Sequence, residues 1–317
     1  MRCKEKRIKL SRIDSDDDTF RITTDANTDD LMVSIHHVGL LNLPLLVENN
    51  SDYTIVSGFR RIEACQRLGW SHINARILDS DTHRFECVRY AISDNAFQRP
   101  LNLIEQSRSI HMLSGFFKDQ SRLAQEMSVF GLPANQSVIT KIIRVCHLSS
   151  PIQSGILSNT ISLSTALELD KLKQDAGDGL AILFNCLKLG LNRQREIITL
   201  VKEIALRDGM SIQDVLEAKG VQDILGNEDL NGNQKARKLR IYLRQRRFPS
   251  IAVAEKEFEK HVKKLKLGSG TKLIPPDNFE GADYTLKISF KNLAELKNRK
   301  TTFDTVIRHP SLEKILE

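Results

Sequence analysis

The sequence predicts an α+β fold in three parts: a small mixed α/β unit, an all-helical stretch, and a small α/β region at the end. Three observations carry this expectation. Alternating apolar and polar residues occur in the first third and in one stretch near the end. Between those stretches, short helical patterns with capping signals follow one another without a strand signal. The length of 317 residues, with 40% hydrophobic and 27% charged, is enough for two or three domains with cores of their own. The expected divisions are residues 1–110, 111–226 and 227–317.

In the first part, DDLMVSIHHVGLLNLPLLV (29–47) has a helical first half ending at Gly39, followed by an apolar run to Val47 that suits a buried strand. After the turn ENNSD, residues 53–57 (YTIVS) read as a strand that runs into a helix at Gly58. That helix carries Ile62, Cys65 and Leu68 on one face, and Gly69 is placed to end it. HINARIL then alternates Ile73, Ala75 and Ile77 with His72, Asn74 and Arg76, the pattern of a half-buried strand. A helix with Phe85, Val88 and Ile92 in phase comes next, and Pro100 separates it from another. The intervening DNAFQR (94–99) is expected as a polar connection, and Asn102 with Glu105 as the cap of the second helix.

The joint between strand and helix holds Gly58, Arg60 and Arg61. Two readings fit it. An anion sits there, because the first amides of a helix lack internal partners and the helix dipole favours negative charge; or the joint is an ordinary turn with two solvated arginines.

In the helical part, DQSRLAQEMSVFGLPANQSVITKIIRVCHL reads as a helix, a turn at 131–133, and a second helix from about Asn135. Leu123, Ala124 and Met127 would pack against Val138, Ile142 and Val145. Asn135, Gln136, Ser137, Lys141 and Arg144 would face outward. This layout fits a helix-turn-helix at about 121–147 with its second helix in the DNA major groove, polar residues near bases and basic ones near phosphates. It equally fits a plain helical hairpin. Further helices follow, one with a capping box at Ser211 and Asp214, and GNEDLNGNQ (226–234) is the expected linker.

The formal charge of +7 points to a polyanionic partner. Its location is uneven: between Lys235 and Lys266 there are twelve Lys or Arg against three Glu. KARKLRIYLRQRRF (235–248) has no acidic residue and favours nucleic acid, whereas FPSIAVAEKEFEKHVKKL reads as an amphipathic helix that either serves dimerisation or nonspecific DNA binding or simply carries a solvated charged face. YTLKISF, with Tyr284, Leu286, Ile288 and Phe290 in alternation, is the expected C-terminal strand, and 292–317 is again helical.

Several chemistries find no support. The five cysteines (Cys3, Cys65, Cys87, Cys146, Cys186) form no CxxC pair, so buried free thiols are expected instead of a disulfide framework or a cysteine zinc site. The eight histidines show no HExxH or comparable ligand spacing, and GxSxG is absent. The charged start lacks the apolar core of a secretory signal, and no segment is apolar long enough to span a bilayer, so an intracellular protein is expected.

Taken in order, SIHHVGLLNLP, GFRRIEAC, DNAFQRPLNLIE and the paired helices resemble the ParB/RepB partition-protein family over residues 31–172. The family's boxes are Ser-Ile ahead of Gly-Leu-Leu-Gln-Pro, then Gly-Glu-Arg-Arg, then Glu-Asn-x-x-Arg ahead of Leu-x-x-x-Glu. The resemblance implies a homodimeric protein on double-stranded DNA that binds CTP with Mg²⁺ and closes as a clamp. It implies a role in plasmid or chromosome partition on the cytoplasmic nucleoid, with a ParA-type ATPase as a possible partner. Position by position, it places the nucleotide on Ser34, Gly39, Ser57, Gly58, Arg60, Arg61, Asn95 and Arg99, with Asn95 also at the metal.

The chain departs from that pattern at Phe59, where many members have the glutamate linked to hydrolysis. A phenylalanine cannot accept a proton, so CTP hydrolysis is the most that is expected of it as an enzyme, and Phe59 argues against efficient turnover. Asn42-Leu43-Pro44 replaces the first box's Gln-Pro, Asp94 replaces the glutamate before Asn95, and nothing after Asn231 aligns with the family. Two rival functions remain open. One is a transcription regulator without nucleotide switching. The other is a nucleotide-dependent kinase or nuclease on the same scaffold, for which Glu63 is the only acidic substitute near the phosphates.

Overall fold

The computed structural model describes residues 3–50 and 52–316, the side chains at 298, 301 and 302 apart. The chain divides into two compact units, one up to Arg195 and one from Glu196.

The first unit opens with β1 (Cys3–Lys9), β2 (Ile13–Asp14), α1 (Asp29–Val38), β3 (Leu45–Asn49), β4 (Asp52–Ser57), α2 (Phe59–Arg67), β5 (His72–Leu78) and α3 (Arg84–Ala96). The strands form one sheet in the order β1-β5-β3-β4-β2. Pairing is antiparallel for β1 with β5 and for β3 with β4, and parallel for β3 with β5 and for β2 with β4. The alternation read in HINARIL is present: Ile73, Ala75 and Ile77 are buried, between half-buried or exposed neighbours.

Both faces of this sheet are covered. Leu46, Ile55, Ile73 and Ile77 pack with Ile35 of α1 and with Phe59, Ile62 and Cys65 of α2. Leu45, Val56 and Leu78 pack with Cys87, Val88, Ala91 and Ile92 of α3. Double coverage explains why β4 buries consecutive residues instead of alternating ones.

Strand β1 is not foreseen in the sequence reading. Its residues CKEKRIK bury only Ile8. It lies at the sheet edge, where charged side chains discourage pairing with another chain, and that charge hides the strand pattern. A second correction concerns residues 94–99: α3 continues through Ala96, so Asp94 and Asn95 sit on its last turn and not in a connection.

The helices that follow are α4 (Leu103–Ser114), α5 (Gln120–Val129), α6 (Gln136–Ile142), α7 (Ser150–Leu157), α8 (Leu163–Leu169), α9 (Gln174–Leu187) and α10 (Leu191–Asp208). The expected cap of α4 is a complete capping box between Asn102 and Glu105. Leu123, Met127, Ile139 and Ile142 belong to the same core as α3 and α4, so the strand-bearing and helical parts are continuous. The boundary between the two units falls within α10.

The second unit continues with α11 (Ile212–Glu217), α12 (Lys219–Gly226), α13 (Gly232–Arg247), α14 (Pro249–Leu265), β6 (Thr271–Ile274), β7 (Thr285–Ile288), α15 (Leu293–Ile307) and α16 (Pro310–Leu316). β6 and β7 form an antiparallel ribbon, of which the sequence reading anticipated only β7. Leu265, Val306 and Ile315 form a small core with Phe258, Val262, Leu273 and Tyr284. The expected linker is short, since Asn231 already caps α13 through Gln234, and it lies inside this unit.

Four of the seven basic residues of α13 pair with carboxylates within the second unit. Arg240 pairs with Glu196 at 2.6 Å, Arg247 with Glu203 at 2.7 Å, Arg246 with Asp208 at 3.2 Å and Arg244 with Glu255 at 3.3 Å. The acidic partners come from α10 and α14, so a basic run in sequence is a paired face in the fold. Among the described residues, no helix is long and apolar enough to cross a membrane.

Candidate functional site

Strand β4 and helix α2 meet at Gly58, whose φ of 99° and ψ of 23° lie in the left-handed region. A Cβ at this position would stand 2.8 Å from Pro44 Cβ and 3.0 Å from Pro44 Cα. The glycine therefore answers both a backbone requirement and a close approach. No side chain caps α2, which leaves its first amides open to an anion.

A cleft of about 250 Å³ opens at this joint, and Ser57, Gly58, Arg60, Arg61, Asn95 and Arg99 all line it, together with Asp94, Asn42, Gln98 and Phe59. Each of its three arginines is held by a carboxylate. Arg60 pairs with Asp25 at 3.0 Å and also donates to the Asn27 carbonyl, while its buried Nε has no hydrogen-bond partner among the described residues. Arg61 donates to Asp94 Oδ2 at 2.9 Å and to the carbonyls of Asn42 and Leu43, both at 3.1 Å. The Ser57 hydroxyl donates to the same Asp94 oxygen.

Arg99 grips Glu105 with two bonds of 2.7 and 2.6 Å. The Glu105 side chain is fully buried and also accepts from the amides of Thr24 at 3.0 Å and Asn102 at 3.1 Å. Burial pushes the Glu105 carboxyl up, but Arg99 and the two amides outweigh it and hold it below the ordinary glutamate range. On the last turn of α3, Asn95 sends its amide nitrogen to the Ala91 carbonyl at 2.8 Å, so its oxygen is the atom it has to offer a cation. Amide and carboxylate oxygens, from Asn95 and Asp94, are ligands of the kind a hard divalent ion takes.

Residues 4–96, which contain this joint, match the family model described as the ParB N-terminal domain. This part of the chain is similar to ParB N-terminal domains. The nucleoid occlusion protein of Oceanobacillus iheyensis is 32% identical over 167 residues, covering 51% of this chain and 55% of that protein. The nucleoid occlusion protein of Bacillus subtilis is 31% identical over 157 residues, covering 48% and 53%. The chain thus spans about half the length of the curated relatives it matches. Among solved structures, C-terminally truncated chromosome-partitioning ParB of Caulobacter crescentus complexed with CTP-gamma-S is 22% identical, covers 57% of this chain and 99% of that one, and has a TM-score of 0.27. The same protein complexed to the centromeric parS site is 20% identical, covers 66% and 95%, and has a TM-score of 0.33.

Not every expected position of the ParB domain reaches the cleft. Ser34 is exposed on α1, and Gly39 ends that helix with a φ of 80°; neither lines the cleft. Glu63 is likewise absent from the lining. Phe59 is buried in the core beneath the Arg21 guanidinium, which lies 5.3 Å from its ring centre. The acidic partners Asp25 and Glu105 escaped the sequence reading as site residues, because one is distant in sequence and the other was explained by its cap. Cys65 is a core thiol: burial pushes it up to about 11, far from the thiolate needed of a nucleophile.

Beyond the ParB N-terminal domain, α5 and α6 are joined by a turn at Gly131, with φ 68°. Leu123, Met127, Ile139, Ile142 and Val145 are buried, with Ala124 and Val138 partly so. Asn135, Gln136, Ser137, Lys141 and Arg144 are all exposed. Four of these already have partners, the Ser137 hydroxyl donating to Asn135 Oδ1 at 2.8 Å. Asn135 caps α6 by accepting from the amides of Ser137 at 3.0 Å and Val138 at 3.3 Å, Gln136 bonds Gln120, and Arg144 pairs with Asp170.

Proposed function

We propose that this chain is a ParB-type, sequence-specific DNA-binding protein whose N-terminal cleft binds CTP with Mg²⁺. The observation that carries the reading is the convergence of Gly58 and three arginines on one cleft beside Asp94 and Asn95. Arg60, Arg61 and Arg99 would hold the phosphates, whose planar oxygen pairs suit guanidinium forks. Asp94 and Asn95 would supply oxygen to the metal, which leaves the rest of its shell to phosphate and water. Mg²⁺ brings neutralisation of the phosphate charge; the chain's own part is to hold and orient the phosphates. The unpartnered Nε of Arg60 supports this, since a buried donor without an acceptor is costly unless a ligand supplies one.

In this reading α6 presents Gln136, Ser137 and Lys141 to DNA, and two copies close around the duplex as a clamp. Exposed apolar side chains in the second unit, including Leu293, Phe303 and Ile307, support a self-association surface there. The protein would act in plasmid or chromosome partition or in nucleoid occlusion, with a ParA-type ATPase as a candidate partner. With Phe59 in the core, the ligand would act as a switch more than as a substrate.

The test is equilibrium binding of CTP, ATP, GTP and UTP to the full chain with Mg²⁺. Preference for CTP, lost in Arg60→Ala, is expected; equal binding of all four, or an unaffected Arg60→Ala, overturns the reading. One observation favours a second reading, a DNA-binding regulator without nucleotide. All three arginines already have carboxylate partners, so the cleft is electrostatically satisfied on its own. DNA residence times that are identical with and without CTP would favour it.

A further inference from the structure

Outside the cleft, three potential metal ligands from two elements converge. His111 lies on α4, and Cys146 and His147 lie in the short 3₁₀ turn Val145–His147 that follows α6. His147 Nε2 stands 3.3 Å from His111 Nδ1, across 36 residues of sequence. One ligand atom from each histidine and the Cys146 sulfur all lie within 4.8 Å of one another. The turn is fixed to α4 by the Cys146 amide, which donates to Ser107 Oγ at 2.8 Å.

We propose that His111, Cys146 and His147 form a binding site for zinc, or a similar borderline transition-metal ion, that ties α4 to the end of the α5–α6 pair. Two imidazole nitrogens on one tetrahedral zinc, each at ~2.0–2.1 Å, are separated by ~3.3–3.4 Å. The separation in this structure is 3.3 Å, with the two rings nearly perpendicular at 83°. The thiol donates a weak hydrogen bond to the Ile143 carbonyl at 3.5 Å, which a metal-bound thiolate would give up.

Two imidazoles and a thiolate select zinc or its neighbours over Mg²⁺, which takes oxygen, so this site and the phosphate cleft call for different ions. Both histidines are exposed and reachable from solvent. Binding releases the thiol proton to solvent and leaves a fourth position for water or an outside ligand. An ion here joins a helix of the N-terminal core to the turn that ends the candidate DNA-binding helices, so occupancy stabilises the placement of α6.

The experiment is cobalt titration of the chelator-treated full chain, followed by displacement with zinc. One equivalent of Co²⁺ is expected to give tetrahedral visible bands and a thiolate-to-cobalt charge-transfer band, both bleached by zinc. Cys146→Ser should lose the charge-transfer band. His111→Ala and His147→Ala should each weaken binding at least as much as loss of an outer-shell partner does, about 10–100-fold. Cys186→Ser, at an exposed thiol elsewhere, should change nothing. A second measurement needs no variant: zinc should protect Cys146 but not Cys186 from alkylation, read by mass spectrometry. Absence of a stoichiometric cobalt complex, a charge-transfer band that survives Cys146→Ser, or equal alkylation of the two thiols with zinc present overturns the proposal.

Discussion

Arg61 and Asp94 join the first turn of α2 to the last turn of α3 through a 2.9 Å ion pair, and Ser57 donates to the same carboxylate oxygen. The pair is well screened from solvent, with side-chain exposures of 16% and 26%. Arg61 also reaches two carbonyls of the loop before β3, so one guanidinium connects three segments of the cleft wall.

Arg61→Ala is therefore expected to act on both fold and ligand. Losing charge-assisted bonds of this kind costs about 1.5–3 kcal/mol of stability. CTP affinity should fall by more than about tenfold, or about 1.4 kcal/mol. Arg61→Lys should recover some stability but little affinity, because an ammonium cannot reproduce the fork. Denaturant unfolding and nucleotide titration on the same samples separate the two effects.

Glu105 provides a pH signature. Its folded carboxyl is held below the ordinary range, so its contribution to stability is complete above the unfolded value of about 4.3 and is lost as pH falls through the lower folded value. Glu105→Gln should destabilise the protein at pH 7 by about 2–3 kcal/mol, below the full cost of breaking a buried pair because the Arg99 side chain is 43% exposed. The difference between the two proteins should narrow in acid. A gap that stays constant from pH 7 to pH 3 would show that the carboxylate charge is not what Arg99 and the amides hold.

Gly58 tests the geometry of the joint. With φ at 99° and Pro44 2.8 Å from an added Cβ, Gly58→Ala meets backbone strain and a clash together. Strain of this kind alone costs about 1–3 kcal/mol. Pro44 belongs to the loop that enters β3, and it must move if the methyl group is to fit. Both Tm and CTP affinity should fall. Gly69→Ala, also at positive φ but with no atom within 4 Å, supplies the control for strain without a clash.

Much of the first unit was legible because its signals are local. The period of two in HINARIL and the glycines that start and end α2 each need only a few neighbouring residues. The edge strand β1 was not legible, since charges that protect an edge erase the alternation by which strands are recognised. In the cleft, Gly58, Arg60 and Arg61 were readable together as neighbours. The Arg60 partner Asp25 was not, because no local rule links positions 35 residues apart; the same holds for His111 with Cys146. The pairing of four of the seven basic residues of α13 was hidden for the same reason, as their acidic partners come from other helices.

Asn135 and Lys141 both face outward on the candidate recognition helix, but they should fail in different ways. The Asn135 oxygen accepts from two amides of α6, so Asn135→Ala removes an N-cap and should cost about 0.5–2 kcal/mol of stability. Its effect on DNA binding would then follow loss of the helix. Asn135→Asp keeps the cap, so any remaining change in the preferred DNA sequence with that variant reports contact with a base. Lys141 is exposed, and Lys141→Ala should leave stability within about 0.5 kcal/mol. If it meets a phosphate, binding should weaken about equally on all sequences, and the slope of log affinity against log salt should fall by about one. An unchanged salt slope with weaker binding to one sequence alone would move Lys141 from the backbone to a base edge.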